Sequence, residues 1–118
     1  MKKVTVEELK KIEPQNYTLI DIRPEEDYKK GSMEHAINIP INDSLEEFSE
    51  QIKNIERDKN VYVLCHTGEK SMDLVERLEE EGYDAWNVTG GYRSFLRLQL
   101  DELIKEEDVV VTRTAEIE

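Results

Sequence analysis

The sequence contains a single cysteine, Cys65, among its 118 residues. No disulfide can therefore form within the chain, and a metal site built from several cysteines is excluded. Only three prolines and five glycines are present, and aromatic residues make up 7% of the chain. The sequence contains no internal repeat and no low-complexity linker. A lone cysteine is most often a small buried apolar side chain, so its role depends on its neighbours.

Basic residues and long apolar runs are also scarce. Lysine and arginine total 16 against 28 acidic residues, which gives a formal net charge of −12. Such a charge opposes general binding to nucleic-acid phosphates or anionic membranes. No apolar run approaches the roughly 18 residues of a membrane span, and Glu7, Glu8, Lys10 and Lys11 occupy the place where a signal peptide is apolar. We expect a soluble, cytoplasmic protein with neither a membrane nor a direct nucleic-acid partner.

The apolar residues that are present form compact runs, and the length fits one domain. Four runs of about four residues are rich in β-branched or aromatic side chains and are bounded by turn or charged residues. This pattern predicts buried strands. The predicted strands cover residues 19–22, 36–39, 61–64 and 85–88.

Helical patterns separate these runs. Thr5 and Glu8 have the spacing of a capping box, with Val4 and Leu9 at the staple positions, so a helix is predicted to start at Thr5. Further helices are predicted over residues 44–55, over residues 71–81 with Gly82 as the stop, and after residues 90–91. The side chains expected to face the core are Leu45, Phe48, Ile52 and Ile55 on the second helix, Met72, Val75 and Leu78 on the third, and Phe95, Leu96, Leu100 and Leu103 on the fourth.

Alternating strands and helices predict an α/β fold with a parallel sheet covered on both faces. The composition changes at Lys105, where an acidic stretch is followed by the β-prone residues 109–111. We predict a domain over residues 1–104. Residues 105–118 are predicted to be a C-terminal tail, either flexible or the start of a segment that was removed.

Cys65 lies between the third predicted strand and the third helix, in the segment Cys65-His66-Thr67-Gly68-Glu69-Lys70-Ser71. Ligands of open α/β sheets bind at the carboxyl ends of strands, where helix N-termini present free amides. A short glycine-containing loop at this place can turn successive N–H groups toward an anion. The helix dipole and Lys70 both favour a thiolate. The position therefore predicts a nucleophilic cysteine.

Three groups of residues resemble the signature of rhodanese domains. The first is residues 19–23 with Tyr28, Gly31 and residues 35–40, and the second is the Cys65-x-x-Gly68-x-Lys70-Ser71 loop. The third is the Gly90-Gly91-Tyr92 motif with Phe95, where tryptophan is more usual than phenylalanine. Together they cover about residues 4–100 in the expected order. The resemblance implies a five-stranded parallel sheet flanked by helices on both faces.

The resemblance also implies a sulfurtransferase that needs no cofactor or metal. In this family the loop cysteine takes a sulfane sulfur from a donor such as thiosulfate or a protein persulfide. The resulting persulfide passes the sulfur to an external thiol, cyanide or a protein acceptor. The alternative is a catalytically weak rhodanese-like module for binding or regulation, which keeps the fold without turnover.

Lys70 departs from the family pattern, which usually has arginine at the end of the loop. Lysine lacks the planar fork of arginine, so a two-point grip on a sulfonate is lost and thiosulfate becomes a weaker candidate as donor. The related dual-specificity phosphatases have five residues between cysteine and arginine. Here four residues separate Cys65 from Lys70 and the loop contains no arginine, which opposes a phosphatase.

The remaining candidate residues have supporting roles. Asp21 and Arg23 are expected to form an internal ion pair or to bond the loops, and His35 to order its turn. His66 is expected to line the pocket mouth and Glu69 to face solvent. Arg93 either adds positive charge near the pocket or is an ordinary surface arginine. Residues 76–81 include an acidic helix surface, which is either a solvated face or a guide for a basic partner.

Overall fold

The computed structural model describes residues 1–41 and 45–117, without the side chains of Leu45 and of residues 106–117. Five strands form one sheet, namely β1 (Lys3–Val4), β2 (Tyr17–Asp21), β3 (Ala36–Asn38), β4 (Asn60–Leu64) and β5 (Asp84–Val88). The helices are α1 (Val6–Lys10), α2 (Glu25–Lys30), α3 (Leu45–Ile52), α4 (Lys70–Glu80) and α5 (Gly91–Ile117), with a short 3₁₀ turn at Pro14–Asn16. None of the helices in the described part of the chain combines the length and apolarity needed to cross a membrane.

The sheet is parallel throughout and has the strand order β1-β5-β4-β2-β3. Successive residues of β4 supply opposite faces, because side chains alternate along a strand. Val61 and Val63 pack with α3 and α4, whereas Tyr62 and Leu64 pack with α1 and α5. The sheet is thus covered on both faces, which confirms the predicted α/β fold.

The four predicted strands are present, each within about two residues of its predicted bounds. The capping box is also present, since the Glu8 amide donates to Thr5 Oγ1 at 3.1 Å and the Thr5 amide donates to Glu8 Oε1 at 3.0 Å. The hydrogen bond from the Thr5 amide lowers the pKa of the Glu8 carboxyl. Val4 and Leu9 are both buried, as the staple requires.

Three elements were not placed by the sequence pattern, namely β1, α2 and the 3₁₀ turn. The strand β1 has only two residues, and α2 is so polar that no residue of it is buried. The predicted start of the second helix at Ser44 lies outside the described residues. That helix ends at Ile52 rather than at Ile55, although Ile55 still packs against the core.

The predicted inner face is wrong at four positions. Met72 is 36% exposed, and the buried stripe of α4 consists of Ser71, Leu74, Val75 and Leu78. On α5 the inner stripe contains Phe95, packed with Tyr92 and Leu98. Three residues that were predicted to face inward are exposed, namely Leu96 at 47%, Leu100 at 56% and Leu103 at 57%. One residue turns a helix by about 100°, which moves a side chain from the core to solvent.

The long helix α5 continues through the predicted tail. Its backbone is helical from Gly91 to Ile117 and includes the β-prone residues 109–111. Extending an existing helix is easier than starting one, which overrides a short β-prone run. The domain boundary after residue 104 stays a prediction.

Candidate active site

Cys65 directly follows β4, a central strand of the sheet, and is 2% exposed. Its sulfur accepts a hydrogen bond from the Gly68 amide at 3.0 Å and lies 3.3 Å from the Ser71 hydroxyl. A backbone amide cannot lose its donor by titration, so it stabilises negative charge on sulfur over the whole working pH range. Of the loop identified in the sequence, the Gly68 amide and the Ser71 hydroxyl lie at the sulfur.

The loop turns at Gly68, whose φ of +86° lies in the left-handed region. A Cβ atom at this position would lie 2.8 Å from the amide nitrogen of Gly90 and 3.0 Å from the carbonyl oxygen of Val88. Both neighbours are backbone atoms, one at the end of β5 and one in the turn before α5. Glycine is therefore needed here for the turn and for the close approach of two backbones.

The start of α5 fixes the other side of the loop. The Tyr92 amide donates to the Cys65 carbonyl at 2.8 Å, and the Arg93 amide donates to the His66 carbonyl at 3.0 Å. A Cβ atom on Gly91 would lie 2.4 Å from the Cys65 carbonyl oxygen. The glycine pair identified in the sequence therefore lets α5 begin directly against the cysteine.

Asn87 completes the site and was not predicted. It lies on β5, is 3% exposed, and donates from Nδ2 to the Gly68 carbonyl at 2.9 Å. Its Oδ1 accepts a hydrogen bond from the Ser71 hydroxyl. A polar residue inside the apolar run 85–88 was the available signal, since a buried amide in a strand must find partners.

Most other loop side chains face outward. His66, Thr67, Glu69 and Lys70 are exposed, and Lys70 has no ionic partner among the residues that the structure describes. His66 Nε2 lies 3.4 Å from Asp27 Oδ2 on α2. This contact joins the active-site loop to α2, an element that the sequence analysis did not predict.

The predicted ion pair between Asp21 and Arg23 is present and buried. Arg23 Nη2 donates to Asp21 Oδ2 at 2.8 Å and to the Gly31 carbonyl at 2.6 Å, and Ser32 Oγ donates to the same carboxylate oxygen at 2.6 Å. The guanidinium lies over the Tyr92 ring, 3.9 Å from its centroid. The pair therefore braces the start of α5, and no contact joins it to the sulfur among the described residues.

Among the described residues, the side chains of His35 and Arg93 make no contact with the Cys65 sulfur. His35 is exposed and has a φ of +68°, in the turn before β3. Arg93 is held beside His66 by its backbone, and its side chain is exposed. A charge contribution from Arg93 stays a prediction.

Comparisons with known proteins agree with this arrangement. The family model of the rhodanese-like domain matches residues 5–98. The chain is 32% identical over 73 residues to YtwF of Bacillus subtilis, a presumed sulfurtransferase, which covers 62% of this chain and 67% of that protein. It is 30% identical over 89 residues to the adenylyltransferase and sulfurtransferase UBA4 of Saccharomyces cerevisiae, which covers 68% of this chain but only 20% of UBA4.

Among solved structures, a rhodanese-related protein from Thermoplasma volcanium superimposes with a TM-score of 0.71 at 31% identity. The match covers 82% of this chain and 92% of that protein. The strand order and the cysteine loop described above thus lie on a fold found in solved proteins.

Proposed function

Because the chain belongs to the rhodanese-like domain family, we propose that it transfers sulfane sulfur through a persulfide on Cys65. The observation that carries the proposal is the hydrogen bond from the Gly68 amide to the Cys65 sulfur at 3.0 Å. It joins the chain's one cysteine to a loop at the carboxyl end of a central strand. Such an amide stabilises the thiolate, which is the reactive form of cysteine.

In the first step, the Cys65 thiol releases its proton to solvent and the thiolate attacks the outer sulfur of the donor. With thiosulfate, a new S–S bond forms, the old S–S bond breaks, and sulfite leaves with the electron pair. The product is an anionic persulfide. The backbone amides of His66, Thr67 and Glu69 donate to none of the described residues, which supports a role as donors to the sulfonate or to the persulfide.

In the second step, a nucleophile attacks the outer sulfur of the persulfide and Cys65 leaves as the thiolate. The chain has no second cysteine to accept the sulfur. The acceptor is therefore an external thiol, cyanide or a protein. A cytoplasmic location is part of this proposal, since a reducing compartment keeps a lone cysteine free.

The proposal is tested by the mass of the intact protein after treatment with thiosulfate or with a protein persulfide. We expect the mass of one sulfur atom to be added at Cys65. The added mass should persist without an acceptor and disappear when cyanide is supplied. No mass gain from either donor would overturn the proposal and favour the alternative, a rhodanese-like binding module without turnover. Rapid loss of the added sulfur from isolated protein would contradict the need for an external acceptor.

Lys70 provides a test of which donor the loop accepts. Replacement of Lys70 by alanine is expected to raise KM for thiosulfate about tenfold, and arginine is expected to lower KM below the wild-type value. A charge-assisted hydrogen bond is worth roughly 1.5–3 kcal/mol, and solvent around the exposed lysine favours the lower end. Steady-state kinetics with thiosulfate and cyanide would measure these changes.

Lys11 is a matched control for Lys70, because it is an exposed lysine at the C-terminal end of α1. Replacing Lys11 by alanine changes the net charge equally and should leave KM unchanged. Equal KM values for wild type and both Lys70 variants would mean that the backbone amides alone bind the donor.

A further inference from the structure

The Cys65 sulfur belongs to a closed circuit of hydrogen bonds with Gly68, Asn87 and Ser71. Gly68 donates to sulfur at 3.0 Å, Asn87 Nδ2 donates to the Gly68 carbonyl at 2.9 Å, Ser71 donates to Asn87 Oδ1, and Ser71 Oγ lies 3.3 Å from sulfur. Ser71 is fully buried and Asn87 nearly so. No water can therefore replace a lost bond in the circuit without a local opening.

The circuit has one consistent arrangement of protons. The Gly68 carbonyl can only accept, so the amide group of Asn87 must present Nδ2 to it and Oδ1 to Ser71. Since Oδ1 can also only accept, the single proton of the Ser71 hydroxyl points to Asn87. Ser71 Oγ then presents a lone pair to Cys65. A thiol satisfies this geometry by donating its S–H to Ser71.

Deprotonation of Cys65 creates a conflict in this circuit. A thiolate is only an acceptor, so it competes with Asn87 Oδ1 for the one proton of Ser71. If the proton stays on the side of Asn87, a lone pair of Ser71 faces the anion. If it turns to sulfur, the buried Oδ1 loses its only hydrogen bond among the described residues. Either arrangement leaves one of the two acceptors, the sulfur or Oδ1, without the Ser71 proton.

We propose that Asn87 is a positioning residue that holds the Ser71 hydroxyl away from sulfur and so keeps the resting Cys65 as a thiol. This inference rests on the proposed function only in that Cys65 is the sulfur carrier. The Gly68 amide and the Asn87–Ser71 pair act in opposite directions on the same sulfur. The amide stabilises the thiolate that reacts with a donor, whereas the pair limits the thiolate fraction when no donor is bound.

The test is the pH dependence of Cys65 alkylation by iodoacetamide, which reports the thiolate fraction without any sulfur donor. Replacement of Asn87 by alanine frees Ser71 to donate to sulfur. We expect the midpoint of the rate profile to fall by about 0.5–1 pH unit, which raises the rate below the midpoint about three- to tenfold. If Asn87 merely supports the loop, its loss would displace the Gly68 amide and raise the midpoint instead.

Two further variants make the result specific. Asn87→Val removes the same hydrogen bonds, fills most of the space and suits a strand, so it should reproduce the fall if alanine impairs folding. Ser71→Ala removes the lone pair that opposes the thiolate and should also lower the midpoint. If Ser71 instead donates to the thiolate, its loss would raise the midpoint and overturn the proposal. In the Ser71→Ala background, a change at Asn87 should have no further effect on the midpoint.

Asn38 supplies a matched control, because it is a part-buried asparagine that donates to the carbonyls of Asp21 and Arg23, both at 2.9 Å. Asn38→Ala should leave the alkylation midpoint unchanged. An unchanged or raised midpoint in the folded Asn87 variants would contradict the proposal. Because alkylation needs no sulfur donor, this failure is distinct from a failure to form the persulfide.

Discussion

Replacement of Cys65 by serine is expected to abolish sulfur transfer from thiosulfate to cyanide. Serine is similar in size but its hydroxyl stays protonated near neutral pH, so no nucleophile forms. Removal of a nucleophile lowers turnover by several orders of magnitude in enzymes where it has been measured. Formation of thiocyanate, followed by its coloured iron complex, would measure the loss.

The serine variant should remain folded. The Gly68 amide can donate to the serine hydroxyl as it does to sulfur, and the surrounding core loses little volume. Its thermal unfolding should stay cooperative, and treatment with a donor should add no sulfur mass. More than trace turnover in the folded variant would contradict a persulfide on Cys65.

Much of the fold was predictable because a parallel sheet leaves a strong signal in sequence. Its strands are buried on both faces, so they read as short continuous apolar runs bounded by polar residues. The run at residues 61–64 corresponds closely to β4, which is buried from Val61 to Leu64. The strand β1 was not predicted because two residues are too few to form a pattern. The helix α2 was not predicted because none of its residues is buried, so it has no apolar stripe.

The errors at Met72, Leu96, Leu100 and Leu103 have one physical cause. The inner face of a helix can be predicted from sequence only when one stripe of side chains along the helix is clearly more apolar than the others. On α4 the true stripe begins with Ser71, a polar residue that is buried because it bonds with Asn87. On α5 the exposed leucines are more apolar than Tyr92 at the true interface, so the pattern favoured the wrong face.

The candidate site also contains residues that local sequence indicates and residues that only the tertiary structure brings together. The loop from Cys65 to Ser71 is continuous in sequence, so its glycine and its place between an apolar run and a helical pattern could indicate a turn between β4 and α4. Asn87 reaches Ser71 across 16 positions and Gly68 across 19, and the pairing of β4 with β5 brings them together. The stacking of Arg23 on Tyr92 likewise joins the end of β2 to the start of α5. Contacts between elements require the strand order, which local patterns do not contain.

Replacement of Gly91 by alanine adds one methyl group and is expected to lower both the stability of the fold and the rate of persulfide formation. A Cβ atom there would lie 2.4 Å from the Cys65 carbonyl oxygen and 2.8 Å from two backbone atoms of His66. Backbone atoms of a packed loop cannot rotate away, so Gly91→Ala must displace either α5 or the cysteine. We expect a loss of about 1–3 kcal/mol in the free energy of unfolding, as in other overpacked sites. Misplacement of the sulfur by about 1 Å should slow persulfide formation about 10²-fold.

Gly82→Ala is a control that distinguishes the steric clash expected in Gly91→Ala from the backbone strain that alanine has at a positive φ. Both glycines have a positive φ, +57° at Gly91 and +95° at Gly82, so alanine is strained at either. A Cβ atom on Gly82 meets only the end of the flexible Arg57 side chain, at 3.0 Å. Gly82→Ala should therefore lose stability while its rate of persulfide formation stays at the wild-type value. Rapid mixing with thiosulfate and urea unfolding would measure both quantities. Equal rates for the two variants would mean that the start of α5 does not position Cys65.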